Sequence, residues 1–250
     1  MLQSLFQRIL LLIVLTTFSQ LAPAQIFDNP KNLTVLPKDI SAEDLRDSMK
    51  AISLGTGFRC SSCHIGEEGQ ALTSYDFVSD EKELKSRARI MMQMVNAIND
   101  GHLATLGDNR VRVNCVTCHR GVNKPYMTAD ILTQAAEQGG QKKMLSEYMS
   151  LREQYYGTHS YDFSDFTMVE FAGSRAAAGH NDEATSILDI TLEQNPQSFM
   201  ALVLYAQIEQ QQGNAENAIN YYTKAIAANP QAQGFIAPRI EKLKNSRKKQ

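Results

Sequence analysis

No cysteine lies outside two short runs: the chain's four fall in Cys60-Ser61-Ser62-Cys63-His64 and Cys115-Val116-Thr117-Cys118-His119. None is left for a disulfide framework or a free nucleophile. Charge of one sign is also missing, since 25 basic residues stand against 27 acidic ones. That balance gives no ground for nucleic acid, an anionic membrane surface or a highly charged substrate as partner. No apolar run reaches the roughly 20 residues of a membrane-spanning helix. What remains, 250 residues with 43% hydrophobic and 21% charged, suits one or two globular domains.

The N-terminus has its own pattern. Arg8 precedes the apolar stretch Ile9 to Phe18, and Ala22-Pro23-Ala24 offers an A-x-A cleavage site. The expectation is a signal peptide over residues 1–24, cleaved after Ala24, and a periplasmic or otherwise exported protein. No cysteine follows the site to carry a lipid anchor.

In a C-x-x-C-H run the two sulfurs sit one helical turn apart. Both can reach the vinyl groups of one porphyrin while the histidine points at its iron. The two runs therefore imply two covalently bound c-type haems. Cys60, Cys63, Cys115 and Cys118 would make the attachments, and His64 and His119 would ligate the irons. A four-cysteine zinc ribbon normally separates its pairs by about 15 to 20 residues, whereas His64 to Asn114 intervene here. A thioredoxin-type pair needs a strand-rich context that this helical sequence lacks. Neither alternative explains a histidine after both pairs.

Each iron needs a sixth ligand. Ser41-Ala42-Glu43-Asp44 starts a short helix whose apolar face is Leu45, Met49 and Ile52, with Gly55 and Gly57 ending it. Met49 can face the first iron. A second helix runs from Asp80-Glu81 to about Asn99 and stops at Asp100-Gly101; its apolar stripe Met91, Met94, Val95 and Ile98 offers further thioethers. Methionine on such a stripe is more often packing than ligand. His102, just past the helix end, is the histidine alternative, although the helix dipole also favours it there. His159 and His180 read as surface or turn residues. Arg59, Arg87, Arg89, Arg110, Arg112 and Arg120 include candidates to pair with haem propionates.

The second half is repetitive. Thr128 to about Tyr156 reads as two linker helices broken at Gly139-Gly140. From Asp165 onward, Gly179, Ala184 and Asn195-Pro196 recur as Gly213, Ala218 and Asn229-Pro230, a displacement of 34 residues. That is the tetratricopeptide period. Phe235 to Leu243 would be a capping helix, and Ser246 to Gln250 a solvated tail.

The stretch Asn32 to Pro37, the first attachment run with Gly66-Glu67-Glu68-Gly69, Tyr75-Asp76-Phe77, Ala88-Arg89, Met91, Met94, Ile98-Asn99 and Cys118-His119-Arg120-Gly121 resembles the photosynthetic reaction-centre cytochrome c subunit family. The resemblance covers about residues 30 to 124. It implies that Met49 ligates the first iron and Met91 the second, with Met94 in reserve. It also implies electron transfer between redox partner proteins, some of them membrane-associated. The family's subunits carry four haems and no repeat tail; this chain has two attachment runs.

The expected fold is mostly α: a dihaem cytochrome c module over residues 25–126, linker helices over 127–157 and a tetratricopeptide-like helical repeat solenoid over 158–250, whose groove would hold a protein ligand. The expected function is an electron carrier and not an enzyme. The alternatives are a haem enzyme of peroxidase type with one open iron site, and a repeat-based scaffold or redox sensor.

Overall fold

The computed structural model describes residues 24–247. The expected signal segment up to Pro23 lies outside the described residues, as does the tail beyond Arg247. The fold is mostly α, with no strand among the described residues; Ile65 and Asp76 form an isolated antiparallel bridge. The chain divides into two compact units that meet between Pro125 and Tyr126.

In the first unit, α1 (Ala42–Thr56) begins where Ser41 Oγ accepts the Asp44 N–H at 3.0 Å, with Glu43 and Asp44 placed to favour the positive end of the helix. It ends at Gly57, whose φ of 71° is the left-handed conformation that closes the last turn onto Ser53. Gly55, expected to end the helix with Gly57, lies inside it and is buried. The reason is tertiary. A Cβ on Gly55 would stand 2.9 Å from Cys115 Cβ and from Val116 N, and the Gly121 N–H donates to the Gly55 carbonyl at 2.9 Å. The second attachment segment thus rests on the backbone of α1.

The first attachment turn is α2 (Cys60–Cys63), and α3 (Glu83–Asn96) follows a polar loop. The helical path does not stop at Asp100-Gly101. It widens into a π-helical stretch, Ala97–His102, and tightens into a short turn, Leu103–Leu106. The second attachment turn is α4 (Cys115–His119).

The second unit opens with α5 (Thr128–Tyr155), in which Gly139 and Gly140 leave helical geometry and divide it into two pieces. Its Leu132, Met144, Tyr148 and Leu151 are built into the unit's core, so residues read as a linker are packing elements. Two helix pairs follow: α6 (Asp165–Ala177) with α7 (Asn181–Gln194), and α8 (Phe199–Gln211) with α9 (Ala215–Ala228). The final helix, α10 (Gln233–Arg247), buries Ile236 and Ile240. The repeated residues occupy repeated places. Gly179 and Gly213 turn the chain at φ of 88° and 83°, and Ala184 and Ala218 are fully buried where helices approach. Asn195 and Asn229 each accept a backbone N–H two residues on, from Gln197 and Gln231. The result is helical repeat packing over two apolar clusters, one around Phe171 and Ile187 and one around Tyr222 and Ile236. No helix among the described residues is long and apolar enough to cross a membrane.

Candidate functional site

Each attachment turn is held by the same local device. In α2 the Arg59 N–H donates to Ser62 Oγ at 3.3 Å, and in α4 the Asn114 N–H donates to Thr117 Oγ1 at 3.0 Å. A hydroxyl at the third position of each C-x-x-C therefore satisfies a backbone donor that the helix start leaves free. At α4 the reciprocal bond, Thr117 N–H to Asn114 Oδ1, is also present at 3.3 Å.

Around the first run the elements enclose an apolar cavity of about 200 Å³, partly open to solvent. Met49 of α1, Cys60, Cys63 and His64 all line it. Its far wall is α3, through Lys85, Ala88, Arg89 and Met92. Met91 and Met94 do not line it; they are 41% and 42% exposed. Lys85 and Met92 escaped the sequence reading, which followed the more apolar stripe. Their signal was present in the spacing of 85, 88, 89 and 92, which is itself one face of a helix.

The wall facing His64 is cationic. Lys85 is buried and donates to the carbonyls of Phe77 and Ser79 at 3.0 and 2.7 Å while pairing with Asp80 at 2.9 Å. Arg89 pairs with the other Asp80 oxygen at 2.9 Å and donates to the Asn32 carbonyl at 3.1 Å. The hydrogen bonds from Arg89, Lys85 and Asn32 hold the Asp80 carboxyl well below the usual carboxylate range. Lys82 reaches the Ser61 carbonyl inside the first run. Burial, and then the charges of Lys85, Arg89 and Lys82, push the His64 imidazole down to about 4. Burial also raises the Cys63 thiol.

The donor set fits a haem. His64 is neutral at physiological pH, and its Nδ1 is buried with no hydrogen-bond partner among the described residues. With the proton on Nδ1, the ring keeps the lone pair on Nε2 for an iron to take up. At the second run His119 Nδ1 lies 3.0 Å from the Val122 carbonyl, which accepts its proton and leaves Nε2 free to ligate. The cysteines do not gather into a zinc site: no group of three or more histidine, cysteine or carboxylate side chains could hold a metal ion among the described residues.

The other candidates have local duties. Arg59 pairs with Glu68 at 2.8 Å, Arg87 with Glu83 at 2.7 Å and Arg112 with Asp100 at 3.0 Å. His102 is exposed at the end of the π-helical stretch, its carbonyl taken by the Thr105 hydroxyl at 2.8 Å. His159 and His180 are exposed in the second unit.

Neither a curated protein nor a solved structure matches the chain. A family model does. The one described as photosynthetic reaction centre cytochrome C subunit matches residues 19–174, more than half of the chain. The match runs past the attachment runs, through α5 and into α6.

Proposed function

The chain belongs to the photosynthetic reaction centre cytochrome C subunit family, and from that premise we propose a dihaem electron carrier with a repeat domain as its docking arm. At family level it is a cytochrome of electron transfer with covalently bound haem c and redox proteins as partners. Bound haem supplies the one-electron couple. The protein supplies attachment, ligation, burial and charge. Cys60 and Cys63 hold the first haem with His64 and Met49 as ligands. Cys115 and Cys118 hold the second with His119 and Met91, or Met94 in reserve.

The observation that carries this reading is the meeting of Met49, Cys60, Cys63 and His64 around one cavity. Residues from two helices on either side of a turn converge there, a thioether with an imidazole. Methionine and histidine together raise an iron's potential and leave it no open position for a substrate. Export, with cleavage after Ala24, places the attachment chemistry outside the cytoplasm. The second unit is a tetratricopeptide-like solenoid, and the shallow groove between α6 and α8, which includes Val169, Glu170, Met200 and Val203, is the place for a protein ligand.

The test uses the exported holoprotein. Intact mass should equal residues 25–250 plus two haems. The ferrous protein should bind carbon monoxide poorly and turn over peroxide negligibly, and Met49→Ala should open one iron to the gas and lower its potential. Rapid gas binding with substantial peroxide turnover in the unmutated protein would overturn the carrier reading in favour of a haem enzyme of peroxidase type.

A further inference from the structure

We propose that Phe77 is a positioning residue for the first iron ligand: its ring holds the plane of the His64 imidazole, a task that a hydrogen bond performs for His119. This rests on the dihaem reading and adds what orients the ligand. An imidazole bound to iron through Nε2 can still turn about that bond. An acceptor for its Nδ1–H normally stops the rotation. His119 has one, the Val122 carbonyl at 3.0 Å. His64 Nδ1 is buried and has none among the described residues, so packing is left to hold its ring.

Phe77 is placed to do it. Its ring stands edge-on to the His64 ring, with centroids 4.8 Å apart and planes at 64°, a geometry that aromatic pairs favour. A turn of the imidazole breaks that contact. Both side chains line the cavity around the first run, so the contact is made at the wall where the first haem would lie.

The segment that carries Phe77 is itself fixed from several sides. Tyr75 stacks on the Phe77 ring, with centroids 5.8 Å apart and planes at 19°. Tyr75 lies in turn against the chain that leaves His64. A Cβ on Gly66 would stand 2.5 Å from the Tyr75 ring, and the Tyr75 hydroxyl donates to the Glu67 carbonyl at 2.6 Å. The Asp76 N–H donates to the Ile65 carbonyl at 2.8 Å. Asp76 Oδ1 accepts the N–H groups of Val78 and Ser79 at 2.8 and 3.0 Å, which turns the chain at Phe77. From α3, the buried Lys85 donates to the Phe77 carbonyl at 3.0 Å. The chain thus leaves His64, doubles back along itself and returns Phe77 to the ring it started from. Tyr75, Asp76 and Phe77, visible in the sequence only as part of a resemblance, each have a share in this: one backs the ring, one bends the chain and one meets the ligand.

Proton NMR of the oxidised holoprotein tests this, because the plane of an axial imidazole decides which porphyrin methyl groups carry most of the unpaired spin of low-spin ferric iron. Met49→Ala alters the signals of the first haem and so assigns them. Phe77→Leu should reorder the shifted methyl resonances of that haem and narrow their spread, with the second haem's resonances unmoved and two haems still bound. Phe77→Tyr keeps the ring and should restore the original order. Tyr75→Leu removes the backing of Phe77 and should move the same resonances the same way by less; it decides the matter if Phe77→Leu fails to fold. Methyl resonances that ignore both leucine variants, or a change at Phe77 that Phe77→Tyr does not reverse, would overturn the proposal and leave the dihaem reading standing. A chain that carries no haem at the first run overturns both.

Discussion

Asn99 turns both ends of its side-chain amide onto the backbone of Val113: its Nδ2 donates to the Val113 carbonyl at 2.8 Å and its Oδ1 accepts the Val113 N–H at 2.9 Å. Asn99 is 3% exposed and sits in the π-helical stretch after α3, so this pairing ties the segment entering the second attachment turn to the helix that carries Met91 and Met94. Asn99→Ala strands a backbone donor and a backbone acceptor. It should cost about 1–3 kcal/mol, read from the denaturation midpoint of the holoprotein, and on the dihaem reading should disturb the spectrum of one haem and spare the other.

The contact of α1 with α4 sets a second expectation. Gly55→Ala adds a methyl 2.9 Å from Cys115 Cβ and from Val116 N, so one of the two segments must shift. Overpacking of this kind costs about 1–3 kcal/mol. The same measurement should show it, with reduced haem incorporation at the second run. Gly69→Ala is the control; its Cβ would meet nothing within 4 Å, although a φ of 88° makes the change mildly strained.

In the second unit, Arg175 and Glu183 form a nearly buried ion pair at 2.6 Å. One repeat later the same two places hold Glu209 and Asn217, hydrogen-bonded at 3.1 Å. Glu183→Ala leaves a buried guanidinium without its carboxylate and should destabilise the unit by about 3–5 kcal/mol. The double change Arg175→Met with Glu183→Leu should recover most of that loss, because an apolar pair of similar volume needs no compensating charge. Loss of helical signal on heating the variants decides it; equal damage in single and double variants would show that the unit needs the ion pair itself and not the volume it fills.

Acid should weaken the first unit through Asp80. Its carboxyl is held below the ordinary range by Arg89, Lys85 and Asn32, so its contribution is fully present above the unfolded carboxylate value of about 4 and is lost as pH falls toward the lower folded value. Stability followed by the haem spectrum should therefore fall below about pH 4. Asp80→Asn should flatten that dependence and lower stability at neutral pH.

The features that sequence displayed most plainly are those fixed by chemistry or by period: the two C-x-x-C-H runs and the recurrence of Gly179, Ala184 and Asn195-Pro196 after 34 residues. Features that depend on a distant partner were hidden. Gly55 and Gly57 look alike as helix stops, yet only Gly57 has the positive φ, and Gly55 is glycine because Cys115 arrives against it. Asp100-Gly101 reads as a terminator, but the helical path continues to His102, and Asn99 gains its partner Val113 only once the chain has folded back. Along α3, the sequence reading followed the apolar stripe of Met91 and Met94, and that is not the one that lines the cavity. The polar-looking stripe with Lys85 and Arg89 does so, since its cations satisfy loop carbonyls and Asp80.

The Gly55 contact also governs spacing. Where α1 meets α4, backbone lies against backbone, with the Gly121 N–H bonded to the Gly55 carbonyl and no rotatable side chain between. Side-chain interfaces breathe as rotamers exchange; this one has no rotamers to exchange. The last turns of α1, just before the first attachment turn, are therefore held directly against the second. Tunnelling falls off exponentially with distance, so on the dihaem reading an electron crossing from one turn to the other would do so over a gap that this contact helps to hold constant.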